Sequence, residues 1–344
     1  MFKKTYQRPH EKNEMPTQIA MYLRSCYLAQ AGKTAPLRWL CAALFIVCML
    51  ASCATNRRGI VEFGAYRDAY VSTAETGQFI LDRLAIAERE IHELKTEREI
   101  REREPPQFMT KDVRFNPDEA AFYSKAVDPP ATAALRRALR AVQLYNDALY
   151  GLASGQTAEA MAANISRLSA VGASTAAEFG GTVAAAAPVA ATGAAAVATG
   201  AVAVTNVVKA LEPLNAFAFG FKTSAEFRER LLGQYKTIDN ILKTTRDSSK
   251  SIFDALFAKM IDDRNSFEDN GRLSDNDKKK FKQTRELLSN WVILLDGSRL
   301  ALNQAVIALE DTSNVGSVAG LTVTVTELGV AAREARTNLA ETAN

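Results

Sequence analysis

From Leu231 to Leu339 the apolar residues recur at alternating spacings of three and four, and that rhythm restricts this part of the chain to long helices. The first run is Leu231, Tyr235, Ile238, Leu242, Thr245, Ser249, Ile252 and Leu256, behind a capping-box pattern at Thr223 and Glu226. After a polar turn at Asn270-Gly271 the rhythm returns in Phe281, Thr284, Leu288, Trp291, Leu295, Ser298, Leu302, Ala305 and Leu309. A third run comprises Val318, Leu321, Val325, Leu328, Ala332, Ala335 and Leu339. The TVTVT stretch, Thr322 to Thr326, reads as strand on propensity, but the flanking spacing overrides it. Three seams of this kind cannot be buried singly, so the helices must pack on one another and on helices elsewhere in the chain. No repeat of about 20–50 residues is present, which argues against a solenoid.

The preceding part supplies those other helices. Between Ile60 and Glu104 there is no proline, and Phe63, Tyr66, Tyr70, Gly77, Leu81, Leu84, Ile91 and Leu94 keep helical spacing. The last third of that segment is almost all charge, with Glu88, Glu90, Glu93 and Glu97 among Lys95, Arg98, Arg101 and Arg103, so it is expected to be a solvated face carrying His92 with it. Pro105-Pro106 stops the helix. New starts are marked at Asn116-Pro117-Asp118-Glu119 and Asp128-Pro129-Pro130. From there Leu135, Leu139, Val142, Tyr145, Leu149 and Leu152 line one face up to Gly155, and a further helix with Met161, Ile165, Leu168 and Val171 is expected from Thr157 to about Glu178. The expected fold is all-α: an elongated antiparallel helical bundle with coiled-coil-like heptad seams and an Ala/Gly/Val-rich apolar segment. Its organisation is expected to be a long helix and linker over 53–110 and the bundle over 111–344.

The apolar segment, Phe179 to Val208, has no charge between Glu178 and Lys209. It is long enough to cross a bilayer or to form a short hairpin bent at Pro188 or Gly193. Its seven valines contribute only about −2 to −4 kcal/mol to insertion, opposed by Gly, Pro, Thr and Asn206. Gly193 and Gly200 lie seven apart on one helical face, where small residues let helices approach closely. The favoured expectation is a tightly packed core helix or hairpin, in which truncating Val197 or Val204 to glycine costs roughly 1–3 kcal/mol. A membrane-inserting hairpin of the pore-forming kind and a flexible low-complexity linker are the alternatives.

Ahead of the helical region, the run from Leu37 to Asn56 has no charge except Arg38, and its most apolar part, Trp39 to Ala51, is shorter than the roughly 20 residues of a helical span. A signal-peptide core of about 7–15 residues fits better, and an uncleaved signal anchor over Leu37 to Thr55, close to membrane thickness, is the alternative. The run ends in Leu50-Ala51-Ser52-Cys53, which resembles the lipobox of bacterial lipoproteins. The resemblance implies removal of residues 1–52 as a signal peptide and a diacylglycerol on the Cys53 sulfur. Ala54, rather than aspartate, follows the cysteine, which by the same resemblance implies the outer membrane, facing the periplasm. Small residues before the scissile bond leave room for a peptidase, and only a thiolate can take the lipid. The leader carries seven basic residues against two acidic ones, so the whole-chain +3 becomes −2 beyond it. The basic excess belongs to the leader and holds it on the cytoplasmic side. A mature domain of about 290 residues with interspersed charge has no electrostatic footprint for nucleic acid. Cys26, Cys41 and Cys48 leave with the leader and Cys53 is lipidated, so the remaining domain has neither free thiol nor disulfide and depends on its core.

Few constellations carry chemistry. His92 is the sole histidine after Cys53, and no G-x-S-x-G or glycine-rich phosphate loop is present. The stretch from Ser266 to Asp277 resembles an EF-hand loop with Gly271 at its sixth position. Glu268, Asn270 and Asp277 are the ligand candidates there. Ser266 replaces the usual first aspartate, and Asp277 is a methylene shorter than the bidentate glutamate. A glycine C-cap followed by a Ser274 N-cap explains the same letters without metal. The expectation is therefore a non-catalytic envelope lipoprotein, a helical scaffold or protein-interaction module with no cofactor beyond the lipid on Cys53. Its partners are the membrane through that anchor and an unidentified protein or a second copy, with no nucleic acid and no small-molecule substrate. The alternatives are a membrane-inserting protein using 179–208 and a carboxylate-dependent envelope hydrolase.

Overall fold

A computed structural model describes residues 58–102, 117–186, 205–214, 224–266, 274–310 and 315–343, and among them every regular element is helical, so the fold is all-α. The chain divides into two units, Met1–Asn56 and Arg57–Asn344. The second contains α1 (Arg58–Glu102), a 3-10 turn (Pro117–Glu119), α2 (Ala120–Tyr123), α3 (Pro130–Ala153) and α4 (Ala158–Ala186). It continues with α5 (residues 205–211), α6 (Ser224–Gly233), α7 (Tyr235–Asp247), α8 (Ser249–Ser266), α9 (Asp275–Glu310) and α10 (Val315–Ala343). The TVTVT run lies within α10, where Thr322, Thr324 and Thr326 each donate their hydroxyl to the preceding helical turn.

Local chemistry sets the helix ends. Pro129, extended at φ −60° and ψ 161°, precedes α3, and Pro130 opens it, where a missing N–H is harmless. The same helix ends in a Schellman motif: Gly155 has φ +75°, its N–H reaches Leu152 O at 3.1 Å, and Gln156 N reaches Gly151 O at 2.9 Å. Thr157 caps α4 through Ala160 N–H. The periodicity from Leu231 to Leu256 suggests one helix, whereas single turn residues at Gln234 and Ser248 divide it into α6, α7 and α8. Both residues keep helical φ, with ψ near zero. At the second division Ser248 Oγ donates to Thr244 O at 2.8 Å and Ser249 Oγ to Arg246 O at 2.6 Å, back-bonding that competes with the helical ladder.

The seam residues form one buried core with the faces of α1, α3 and α4. On α9, Leu288, Trp291, Leu295, Leu302, Ala305 and Leu309 are buried as the spacing requires, and so is a second row, Leu287, Leu294, Ala301 and Ala308. A helix with two buried rows is enclosed on more than one side. Accordingly α9 contacts α1, α7, α8 and α10. Against α1 it runs in the opposite direction, with Ser298 Oγ donating to Thr73 Oγ1 at 3.3 Å and Trp291 lying over Gly77.

Buried tyrosines tie the layers together. Tyr66 donates to Asn146 Oδ1 at 3.1 Å, Tyr70 to Leu139 O at 2.9 Å and Tyr145 to Leu231 O at 2.9 Å. Each hydroxyl bridges two helices, and burial pushes all three phenols upward, so they remain neutral donors.

Candidate functional site

The residues singled out by sequence fall unevenly. Cys53, Gly193, Val197, Gly200, Val204, Glu268 and Asn270 lie outside the described residues. Asp277 is described, in the first turn of α9: Ser274 Oγ donates to its carboxylate at 2.6 Å and accepts its N–H at 3.1 Å. That is N-cap geometry, so the position is occupied by helix initiation. Among the described residues no group of three or more His, Cys, Asp or Glu is placed to hold a metal ion.

The charged end of α1 is where the chain departs from expectation. Rather than a uniformly solvated run, Glu88, Arg89 and His92 turn inward while Glu93 stays exposed. The Glu88 carboxylate accepts Ala131 N–H at 3.0 Å, Thr132 N–H at 2.9 Å and the Thr132 hydroxyl at 2.7 Å. These are the orphan donors of the first turn of α3, which Pro129 cannot cap. Burial raises the Glu88 carboxyl above its ordinary range, against the pull of Thr132, Ala131 and Arg89. Arg89 donates to Ser124 O at 3.2 Å, Val127 O at 2.8 Å and Ala85 O at 3.1 Å, pinning the segment between α2 and α3.

His92 stacks on Phe122 with ring centroids 4.4 Å apart and planes 10° from parallel. Its Nε2 lies 3.1 Å from the Tyr123 hydroxyl and 3.5 Å from Glu119, and Tyr123 itself donates to Glu119 at 3.2 Å. The set has the residue types of an acid–base site, but its groups bond one another across α1, the 3-10 turn and α2, so it acts as a clasp. The signal was in the spacing: Glu88 stands four residues after Leu84 and three before Ile91, on the buried stripe.

An open cleft of about 370 Å³ lies between α5 and the α7–α8 junction, lined by Asn206, Lys209, Asn240, Thr244, Asp247 and Ser251. Its polar, mixed-sign lining offers hydrogen bonds without an arranged nucleophile and base. On the far flank of α7, Arg299 grips Asp239 with two bonds of 2.8 and 3.0 Å, and Arg246 Nε pairs with Asp296 at 3.1 Å. No family model matches the chain, and neither a curated protein nor a solved structure matches it.

Proposed function

We propose that this chain is a bacterial cell-envelope lipoprotein, held in the outer membrane's periplasmic leaflet by lipid on Cys53, whose all-α domain is a non-catalytic scaffold or protein-interaction module. In this reading the domain is an elongated antiparallel helical bundle with heptad seams. One observation carries the reading: the Leu50-Ala51-Ser52-Cys53 tetrad closes an uncharged run just ahead of the compact unit that begins at Arg57. In this reading the residues that follow the lipidated cysteine are a short tether. The four residues Ala54 to Arg57 can span at most about 14 Å when extended.

The scaffold role is supported by what the charged groups do. Glu88, Arg89, His92, Arg246 and Arg299 each tie one helix or segment to another. Replacing Cys53 by alanine tests the anchor: metabolic labelling with palmitate is expected to disappear, and the chain to leave the membrane fraction or accumulate as uncleaved precursor. Undiminished labelling of Cys53→Ala would overturn the reading.

A further inference from the structure

Five of the nine large apolar side chains exposed among the described residues share one face: Ile293, Leu300 and Ile307 on α9, Val323 and Val330 on α10. At about 100° per residue, Ile293 and Ile307 fall within roughly 20° of Leu300 around α9. Two neighbours flank that stripe. On one side α10 meets α9 where a Cβ on Gly297 would lie 3.1 Å from Leu328 and one on Gly320 would lie 2.8 Å from Gln304. On the other side α7 is held by the Arg299–Asp239 and Arg246–Asp296 pairs. Both contact sets show residue numbers rising on one helix as they fall on the other, so α7 and α10 each run opposite to α9. The same angular count, with its sense reversed by the reversed direction, turns Val323 and Val330 of α10 to the side that Leu300 faces. It turns the exposed Lys236 and Lys243 of α7 there too.

The face is therefore graded in charge. Lys236 and Lys243 form its edge on α7, the apolar crest lies on α9, and Glu327 and Glu334 are exposed along α10 beside the valines, with Arg333 exposed beyond Val330. The acids nearest the crest on the α7 side, Asp296 and Asp247, are both held by Arg246.

We infer that a second copy of this chain packs on this face, about a two-fold axis parallel to α9. That axis lays the crest on itself, residue against the same residue, at the heptad spacing of a helix seam. It also lays the acidic edge of each copy on the basic edge of the other. The register agrees: Glu327 adjoins Leu328, which meets Gly297, and Lys243 stands between the residues paired to Asp296 and Arg299, so both lie close to the level of Gly297. An axis perpendicular to α9 would instead oppose Glu327 and Glu334 to themselves, and like charges reject that arrangement.

The stripe from Ile293 to Ile307 is about 21 Å long. Three helices spaced about 10 Å apart give a footprint of roughly 600 Å² per copy, at the small end for a specific interface. Such a pair is weak in dilute solution and strengthens when both copies are confined together. A parallel axis directs both α1 N-termini the same way, so both tethers can enter one bilayer. This last consequence rests on the lipid-anchor reading; the face itself does not.

Oxidative cross-linking of the full chain in its native envelope tests the inference. Ile293→Cys, Leu300→Cys and Ile307→Cys, made singly, are each expected to give a disulfide dimer about tenfold above the parent chain, which carries the native cysteines, and above Val61→Cys on α1. Adding Lys243→Glu to Leu300→Cys should cut the yield about tenfold, equivalent to about 1.4 kcal/mol, and further adding Glu327→Lys should restore it. Yields at all three positions no higher than for Val61→Cys would overturn the inference. Dimer from Leu300→Cys alone, with Ile293→Cys linking only to Ile307→Cys, would overturn the parallel axis. Failure of the lipid reading is distinguishable, because undiminished labelling of Cys53→Ala would leave the three cross-links in place.

Discussion

Glu88 on α1 caps α3 through Thr132, 44 residues away in sequence, accepting both its N–H and its hydroxyl on one carboxylate oxygen. The other oxygen takes Ala131 N–H. Glu88→Ala strands these partly buried donors, and an expected loss of about 2–3 kcal/mol combines a missing cap with unsatisfied hydrogen bonds. Urea denaturation followed by circular dichroism measures it. A loss below about 0.5 kcal/mol would show that the contact does not hold α3 in place.

The pH dependence of the same residue has a definite sign. Burial raises the folded-state pKa of Glu88 above its unfolded value, so the folded chain binds that proton more tightly. Its contribution is then fully present below the ordinary glutamate pKa of about 4.3, declines as pH rises toward the raised folded value, and is level beyond it. The stability of the parent minus that of Glu88→Gln should fall across this interval. A difference that climbs with pH there would refute the assignment.

Gly77 admits Trp291. A Cβ at position 77 would stand 2.9 Å from Trp291 Nε1 and 2.9 Å from Leu139 Cδ1, and the buried indole has little room to retreat. Alanine gains about 1 kcal/mol in helix propensity against about 1–3 kcal/mol of overpacking, and with the indole and Leu139 both in the way Gly77→Ala is expected to be net destabilising by up to about 2 kcal/mol. Combining it with Trp291→Phe should give a favourable coupling above about 0.5 kcal/mol in a double-mutant cycle. Strict additivity would mean that the two residues do not compete for space.

Arg299 holds Asp239 with two parallel bonds at a partly exposed site. Asp239→Asn is expected to cost roughly 1 kcal/mol, more than an ordinary surface pair because the grip is bidentate. The cost should shrink between low salt and about 1 M salt, where charges are screened within about 3 Å. An effect independent of salt would assign the loss to packing.

The elements were legible because each is encoded locally. The three-and-four spacing fixed α9 and α10, prolines and Gly155 fixed the ends of α3, and Ser274 with Asp277 fixed the start of α9 without reference to distant residues. The interruptions at Gln234 and Ser248 were hidden, since a single turn residue that keeps helical φ and passes the backbone bonds on leaves the apolar period intact. His92 was hidden for a different reason, and the spacing that puts Glu88 on the buried stripe was outweighed by its surroundings: a charged letter in a charged run looks solvated until the segment that covers it is known.

The sequence by itself thus determined the all-α class, the placement of the helices and the cysteine around which an envelope address is proposed, because periodicity, capping and a lipobox-like tetrad are short-range patterns. Tertiary structure alone decided which stripes meet. It enclosed both rows of α9, turned Glu88 into a cap for a helix it does not adjoin, and left Ile293, Leu300 and Ile307 outside. A heptad position says only that a residue faces a helix's neighbour, and the number and direction of those neighbours are set by packing across the whole chain.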